Sequence, residues 1–253
     1  MRRFAIGDIH GCAKALRSVI EAIDPQPEDE LVFLGDYIDR GPDSRDVIDQ
    51  IIELGTRTQV VALKGNHEIM LMGVAIHDMD DSVWRANGGN STLASYGGSL
   101  SRIPSNHLAF FHELLPYHEI DNTIFVHASY DPDVEMSAQT EMMTYWSHLT
   151  SPLPGPHMSG KRVVVGHTPQ ADGQVLDRGH LVCIDTYCFG YGYLTAYEIG
   201  GKAIIQADRH GHVKHSPMSV LQKKLLNLSK GCKRWMTGLK STDRGEKSSS
   251  TDH

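Results

Sequence analysis

The stretch FLGDYIDRGP, residues 33–42, begins as an apolar strand and ends in a Gly-Pro break, with charged residues crowded between. Asp36, Asp39 and Arg40 all follow shortly after Leu34. Charges gathered at the end of a buried strand repel one another and lose hydration, whereas an inert turn would avoid both costs. The stretch therefore indicates a site where a bound ion or substrate offsets the charges.

Two other stretches repeat the arrangement. FAIGDIHG spans 4–11 and VALKGNHE spans 61–68. Each is a short apolar run, then Gly, then residues suited to metal binding or acid–base chemistry. The Gly residues permit tight turns and close backbone approach to a metal or a phosphate.

The opening third of the chain alternates between strand and helix patterns. We predict strands at 3–7, 30–35 and 59–64, and helices at 12–23, 43–54 and 66–76. This order favours parallel strands with right-handed crossovers. Residues 78–114 are predicted to be helical and irregular. After them we expect strands at 116–120, 123–128, 162–167, 181–186, 193–199 and 202–208, a helix at 136–147 and a loop at 151–160.

Six residues with metal-binding side chains follow the predicted strands. In open α/β sheets, ligands bind beyond the carboxyl ends of the strands. The residues placed at that rim are Asp8, His10, Asp36, Asn66, His127 and His167. Carboxylate, imidazole and amide oxygen together suit borderline or hard divalent metals such as Mn, Fe or Zn.

Six ligands exceed the needs of one tetrahedral zinc with an open position. They suit two metal ions roughly 3.5–4 Å apart that share a bridging carboxylate. Asp36 is the expected bridge, because it falls between the two other clusters in chain order. Manganese is the expected metal, with iron and zinc as alternatives.

Charge and composition exclude some classes of function. The chain has 253 residues and a net charge of −7. Residues 214–253 nevertheless carry nine Lys or Arg against three Asp or Glu, so the acidity lies in 1–213. An acidic body disfavours nucleic acid as a partner. No apolar run approaches the roughly 20 residues of a membrane span, and the start does not read as a signal peptide. A cytoplasmic location is the expectation.

The charge shift also suggests how the chain is organised. We expect a catalytic domain at 1–213 and a basic C-terminal tail at 214–253, partly helical and then disordered. The helical part could dock on the body or lie on an anionic surface, and docking is the favoured alternative.

The motifs GDIHG, GDYIDRG and GNHE, followed by isolated His127 and His167, resemble the PPP-type serine/threonine phosphoprotein phosphatases of the calcineurin-like metallophosphoesterase superfamily. The likeness covers about residues 1–200 and is greatest to short bacterial members and to phage lambda phosphatase. The segment 80–98, with WRANGG and SYGG, is also similar to that group. The resemblance implies an α/β fold with a central β-sandwich of mixed sheets flanked by helices, and a site at the strand ends.

The resemblance also implies roles for the motif residues. Asp8, His10 and Asp36 would bind the first metal, and Asp36, Asn66, His127 and His167 the second. A metal-bridging hydroxide would attack phosphorus in line, with His67 as the general acid and Asp39 orienting His67. Arg40 would hold the phosphate, helped by Asn66.

Two departures from the family pattern concern substrate binding. Lys64 stands where many relatives have Arg, which keeps the charge and loses the planar fork. Trp146-Ser147-His148 stands where bacterial relatives carry Trp-x-Arg, whose Arg is a second phosphate clamp. His148 or Arg162 could replace that clamp, or the clamp is missing. Tyr187 is a further candidate for substrate contact.

Three functions follow from these observations. The first is a metal-dependent phosphatase acting on phosphoserine or phosphothreonine in proteins, or on small phosphoesters. The second is a dinucleoside tetraphosphate hydrolase with the same metals. Those hydrolases often lack the Asp of DRG and end the third motif in Asp, so Asp39 and Glu68 favour the phosphatase. The third, a catalytically weak regulator tethered by the tail, is disfavoured by the intact ligand set.

Overall fold

Two five-stranded sheets form the framework of the protein. The computed structural model describes residues 1–201 and 203–214. The strands are β1 Arg3–Ile6, β2 Glu30–Phe33, β3 Gln59–Ala62, β4 Tyr117–Ile120, β5 Thr123–Val126, β6 Arg162–Val165, β7 Leu176–Asp177, β8 Leu181–Cys183, β9 Leu194–Glu198 and β10 Ile204–Ala207. The sheet orders are β10-β9-β1-β2-β3 and β4-β5-β6-β8-β7.

Helices connect the first strands. They are α1 Ala13–Ile23, α2 Ser44–Leu54, α3 Asn66–His77, α4 Ser82–Trp84, α5 Asn90–Ser95 and α6 Ser105–Glu113. Short 3-10 turns occupy Leu100–Arg102 and Met136–Ala138, and π-type turns occupy Arg85–Gly89 and Met142–Trp146. The helical and irregular character predicted for 78–114 is therefore confirmed.

Each sheet mixes parallel and antiparallel pairs. In the first, β1, β2 and β3 are parallel while β9 and β10 are antiparallel additions. In the second, β5, β6 and β8 are parallel, and β4 and β7 pair antiparallel at the edges. The predicted mixed β-sandwich flanked by helices is confirmed, as are the parallel opening strands.

Alternation along the strands separates two cores. Phe4 and Ile6 of β1 face the cluster formed with the helices, whereas Ala5 between them faces the second sheet. Leu31 and Val32 of β2 divide in the same way. Because successive side chains point to opposite faces, a strand covered on both faces is apolar throughout. That explains the apolar runs of β1 and β2, which are fully buried, whereas β3 lies at the sheet edge and is only partly buried.

Two sequence expectations differ from the structure. The predicted helix at 136–147 is wrong as one element, because only the short turns Met136–Ala138 and Met142–Trp146 form there. Between them, Gln139 accepts from the Asp131 amide and donates to the carbonyl oxygens of Asp131 and Val134, which ties the chain to a neighbouring loop. Strand β7 was not predicted, since two residues give no periodicity.

The described residues contain no helix that is both long and apolar enough to cross a membrane. Apart from Lys214, the predicted tail at 214–253 lies outside the described residues.

Candidate active site

The predicted site residues lie in the loops that follow five strands. Three of these strands, β1, β2 and β3, are parallel neighbours in the first sheet, and β5 and β6 are parallel neighbours in the second. Register pairs Ile6 with Phe33 and Phe33 with Ala62, so β1, β2 and β3 stop side by side. The three motifs GDIHG, GDYIDRG and GNHE follow the ends of these three strands. In the second sheet, His127 follows β5 directly and His167 follows β6 after one Gly.

The backbone of these loops is strained at the residues that carry the chemistry. Positive φ angles, rare outside Gly, occur at His10 (47°), Asp36 (52°), Asp39 (70°), Arg40 (67°) and His167 (60°). Such angles cost about 1–2 kcal/mol per residue and persist only where the surroundings enforce them. The loops are therefore held in the shape that aims these side chains at a common point.

Glu68 supplies much of that enforcement. Its carboxylate accepts hydrogen bonds from the amides of Asp36 (2.9 Å), Tyr37 (2.9 Å) and Gly65 (3.0 Å). Gly65 fits so tightly that an added Cβ would lie 2.2 Å from Asp36 Oδ1. Burial, followed by the charge of Asp36, raises the pKa of Glu68 to about 8. Glu68 thus fastens the second motif to the third.

Asp36 lies at the centre of the candidate metal cluster. Its Oδ2 is 3.5 Å from His10 Nε2, and its Oδ1 is 3.4 Å from His127 Nε2. Two groups of three ligand atoms meet here, His10–Asp36–His67 and Asp36–His127–His167, and Asp36 belongs to both. Burial opposes its charge, but the surrounding imidazoles outweigh burial and lower its pKa. Such a shared carboxylate has the position that a bridge between two metals requires.

Three imidazoles present a lone pair to this centre. His10 Nδ1 donates to the Ile38 carbonyl (2.8 Å) and His127 Nδ1 to the Leu34 carbonyl (2.7 Å), which leaves both Nε2 atoms as acceptors. His167 is reversed, because its Nε2 donates to the Trp146 carbonyl (3.2 Å) and frees Nδ1. Burial lowers the pKa of all three and keeps them neutral. Neutral imidazole with an oriented second nitrogen is the form that binds metal.

Asp8 and Asn66 complete the predicted ligand set. Asn66 Oδ1 is 3.1 Å from His127 Nε2, so it adjoins the second group. Asp8 is buried, and both its carboxylate oxygens accept from the His167 amide, at 3.1 and 3.0 Å. Burial and the charges of Asp185 and Asp36 raise the pKa of Asp8, an effect that a bound divalent cation reverses. Asp8 is in neither of the two groups of closely spaced ligand atoms, so its role as a ligand stays a prediction, while the carboxylate, imidazole and amide donors suit divalent cations.

His67 is placed differently from the other imidazoles. Its Nδ1 donates to Asp39 Oδ2 at 2.6 Å, and its buried Nε2 finds no hydrogen-bond partner among the described residues. That Nε2 is 3.9 Å from Asp36 Oδ2. Burial lowers the pKa of His67, but the negative charges of Asp36 and Asp39 outweigh burial and raise it overall. An unpaired nitrogen with its proton stabilised suits a group that gives a proton to a substrate.

Asp39 is enclosed by donors that the sequence did not reveal. Trp84 Nε1 donates to both carboxylate oxygens (3.1 and 3.0 Å), and Thr92 Oγ1 donates to Oδ1 at 2.6 Å. Asp39 is fully buried, so these bonds fix the carboxylate that holds His67. The segment WRANGG was singled out by resemblance, but its contact with Asp39 depends on the fold.

Arg40 is the exposed member of the site. Its Nη1 lies 2.9 Å from His10 Nε2, and its guanidinium stacks over the Phe189 ring at 4.5 Å. Its amide donates to the Gly88 carbonyl (3.3 Å), and a Cβ on Gly88 would meet that amide at 2.7 Å. Phe189 was not predicted. It also packs edge-on against His10, with centroids 5.0 Å apart.

Asp185 is another buried carboxylate that sequence analysis missed. It accepts from the Tyr187 amide at 3.0 Å, and burial raises its pKa to about 7. Its only sequence signal is its position after β8, the strand next to β6.

The three candidates for substrate contact differ in how near they lie to the site. His148 stacks on His167 with ring centroids 4.4 Å apart, so it adjoins the metal cluster. Tyr187 packs edge-on against Phe189 at 4.7 Å, one ring removed from Arg40. Arg162 as a replacement clamp is wrong: it begins β6, whereas His167 follows the other end, and it pairs with Asp177 at 2.7 Å.

Comparisons with known proteins give partial matches to named hydrolases. The chain is 26% identical over 231 residues to the asymmetrical bis(5'-nucleosyl)-tetraphosphatase PrpE of Oceanobacillus iheyensis, covering 79% of this chain and 89% of that protein. It is 40% identical over 76 residues to the symmetrical bis(5'-nucleosyl)-tetraphosphatase of Janthinobacterium sp. (strain Marseille). That match spans 30% of this chain and only 27% of the relative.

Solved structures share the fold at low identity. A protein provisionally described as a diadenosine tetraphosphatase superposes with a TM-score of 0.63 at 23% identity, covering 81% of this chain and 92% of its own. A Saccharomyces cerevisiae protein serine/threonine phosphatase gives 0.54 at 17% identity, covering 86% and 82%. Residues 1–200 match the calcineurin-like phosphoesterase family, and the chain belongs to that family.

Proposed function

We propose that this protein is a divalent-metal-dependent hydrolase of bis(5'-nucleosyl) tetraphosphates. The choice of substrate class rests on the match to the Oceanobacillus tetraphosphatase, which extends over 89% of that relative. The shorter match to the symmetrical enzyme points to the same class of substrate. This choice reverses the expectation from sequence, which ranked phosphoprotein hydrolysis first.

In the proposed reaction, water adds to one phosphorus of the polyphosphate chain and a P–O anhydride bond breaks. His67 Nε2 donates its proton to the leaving phosphate oxygen, and Asp39 holds the imidazole through Nδ1 at 2.6 Å. Arg40 binds the phosphate under attack through its guanidinium, which is exposed at the mouth of the cluster. Attack by water leaves no covalent phosphoenzyme.

The metal ligands proposed are Asp8, His10, Asp36, Asn66, His127 and His167, with Asp36 shared between two ions. Divalent cations held by these residues would supply Lewis acidity for the hydrolysis. Manganese is the metal we propose, and iron and zinc are alternatives, because the mixture of carboxylate, imidazole and amide oxygen accepts all three.

Phosphoprotein hydrolysis remains the second candidate, but the two residues that favoured it do not discriminate. Asp39 contacts His67, Trp84 and Thr92, and Glu68 binds backbone amides of the motif loops. Both are fully buried and act on the site's own groups. Neither side chain is exposed to solvent, so neither can select between substrates by direct contact at the surface of the site.

The test is a parallel assay of the metal-stripped protein reloaded with Mn, Zn or Mg. Diadenosine tetraphosphate, a phosphothreonine peptide and p-nitrophenyl phosphate are compared by kcat/KM. The proposal expects the dinucleotide to be hydrolysed best, and chromatography to distinguish two ADP from ATP plus AMP. A higher kcat/KM for the phosphopeptide would overturn the substrate. Two bound metals with no turnover would instead favour a regulatory role.

A further inference from the structure

A basic cavity adjoins Arg40 outside the cluster already described. It has a volume of about 280 Å³. The residues lining it are Gly11, Cys12, Lys14, Arg40, Gly41, Pro42, Asp43, Phe189, Arg209 and His210. Lys14, Arg40 and Arg209 are positively charged, while Asp43 is the acidic member of the lining. A local excess of positive charge stands out on a chain whose net charge is −7.

The basic residues come from three separate segments that the fold brings together. Lys14 belongs to the first turn of α1, Arg40 to the second motif, and Arg209 to the turn after β10. Lys14 and Arg209 are both exposed at the cavity. No catalytic role proposed above uses either residue.

The turn that carries Arg209 is closed by its own hydrogen bonds and lies close to α1. Asp208 accepts from the amides of His210 (2.9 Å) and His212 (3.0 Å). Gly211, with φ of +92°, approaches so closely that an added Cβ would lie 3.2 Å from the Lys14 carbonyl oxygen. This close approach of the turn to α1 brings Lys14 and Arg209 to one cavity.

The backbone adds to the positive potential. Helix α1 begins beside the cavity after Cys12, and within the described part of the chain no side chain caps its first turn. Uncapped amides at a helix N-terminus favour a nearby anion. The cavity thus combines a helix N-terminus with side-chain cations from two other elements.

We propose that this cavity binds the phosphates of a dinucleoside tetraphosphate that are not attacked, with Lys14 and Arg209 as specificity residues. The inference rests on the proposed function. Arg40 lines both spaces, so a phosphate held at the metal cluster extends its polyphosphate chain past Arg40 towards Lys14 and Arg209. A phosphomonoester with a small leaving group does not reach them.

The test uses the double substitution Lys14→Ala/Arg209→Ala in the full-length, metal-loaded protein. We expect KM for diadenosine tetraphosphate to rise about tenfold, since two exposed phosphate contacts are lost. The kcat for that substrate and both constants for p-nitrophenyl phosphate should change by less than about twofold. Unchanged KM for the dinucleotide would overturn the subsite and leave the proposed function intact.

The matched control is Lys161→Ala/Arg178→Ala, which removes the same charge where β6 and β8 begin, away from the rim. It should leave both KM values unchanged, and an equal rise would mean that net charge alone is responsible.

A second readout is calorimetric titration of the full-length, metal-loaded protein with inorganic tripolyphosphate. Wild type should bind about tenfold more tightly than Lys14→Ala/Arg209→Ala. If wild type does not hydrolyse the dinucleotide, the proposed function fails, and this titration decides the subsite alone: equal affinities refute it.

Discussion

Replacement of His67 by Asn separates two roles that the geometry allows. His67 lies in a potential ligand group with His10 and Asp36, and it is also bonded to Asp39. A general acid can be removed without loss of metal, whereas a ligand cannot. We expect His67→Asn to keep both metals and to lower turnover by roughly 10²–10⁴, the range for general acid catalysis.

The size of the effect should depend on the leaving group. Among the described residues, the buried Nε2 of His67 has no hydrogen-bond partner. In His67→Asn the shorter side chain cannot protonate the oxygen of the leaving group, so water must do so. A good leaving group needs little protonation, so p-nitrophenyl phosphate should suffer less than phenyl phosphate. Steady-state kinetics on this pair, with metal content measured by mass spectrometry, gives both readouts.

The substitution should not unfold the protein. Asp39 keeps the donors Trp84 and Thr92, so its buried carboxylate loses one charge-assisted bond, worth about 1.5–3 kcal/mol. His107→Asn is the control, because His107 is equally buried and bonds to Tyr96 and Asp49 away from the rim. The control should lose stability but not turnover. Loss of one metal from His67→Asn would reassign His67 as a ligand and refute the argument.

Other substitutions test the surroundings of the site. Asp36→Asn should reduce the content of both metals, because Asp36 belongs to both ligand groups; loss of one metal alone would contradict a bridge. Trp84→Phe removes one donor to Asp39 and should lower kcat about tenfold with KM unchanged. Asp29→Asn should cost about 1–2 kcal/mol in urea unfolding at pH 7, after allowance for the exposure of Arg2. Since Arg2 lowers the pKa of Asp29 to about 2, that difference should vanish as the pH falls from about 4 to 2.

The sequence predicted the part of the site that depends on strand order. Because β1, β2 and β3 are parallel neighbours, residues that follow each strand must meet at one edge. Asp36 was expected at the centre from its chain position, and it does belong to both ligand groups. These inferences need only local pattern and topology.

What was missed depends on contacts between distant segments. Trp84 and Thr92 reach Asp39 across 45 and 53 residues, and Phe189 reaches Arg40 across a longer interval still. The spacing of apolar residues along the sequence does not reveal such contacts. Arg162 failed as a clamp for a different reason: the predicted strand at 162–167 already placed it at the start of β6, at the end opposite to His167.

The division between motif and non-motif residues bears on why relatives named for different activities share this fold. The motif loops are fixed by Glu68 and by strained backbone, so they have little freedom to vary with substrate. The exposed groups around them, such as His148 and Arg209, belong to segments without those restraints. Chemistry at phosphorus is thus separated from recognition of what the phosphate is attached to. Matching motifs therefore identify the reaction, and the basic cavity beside Arg40 is the place to look for the substrate.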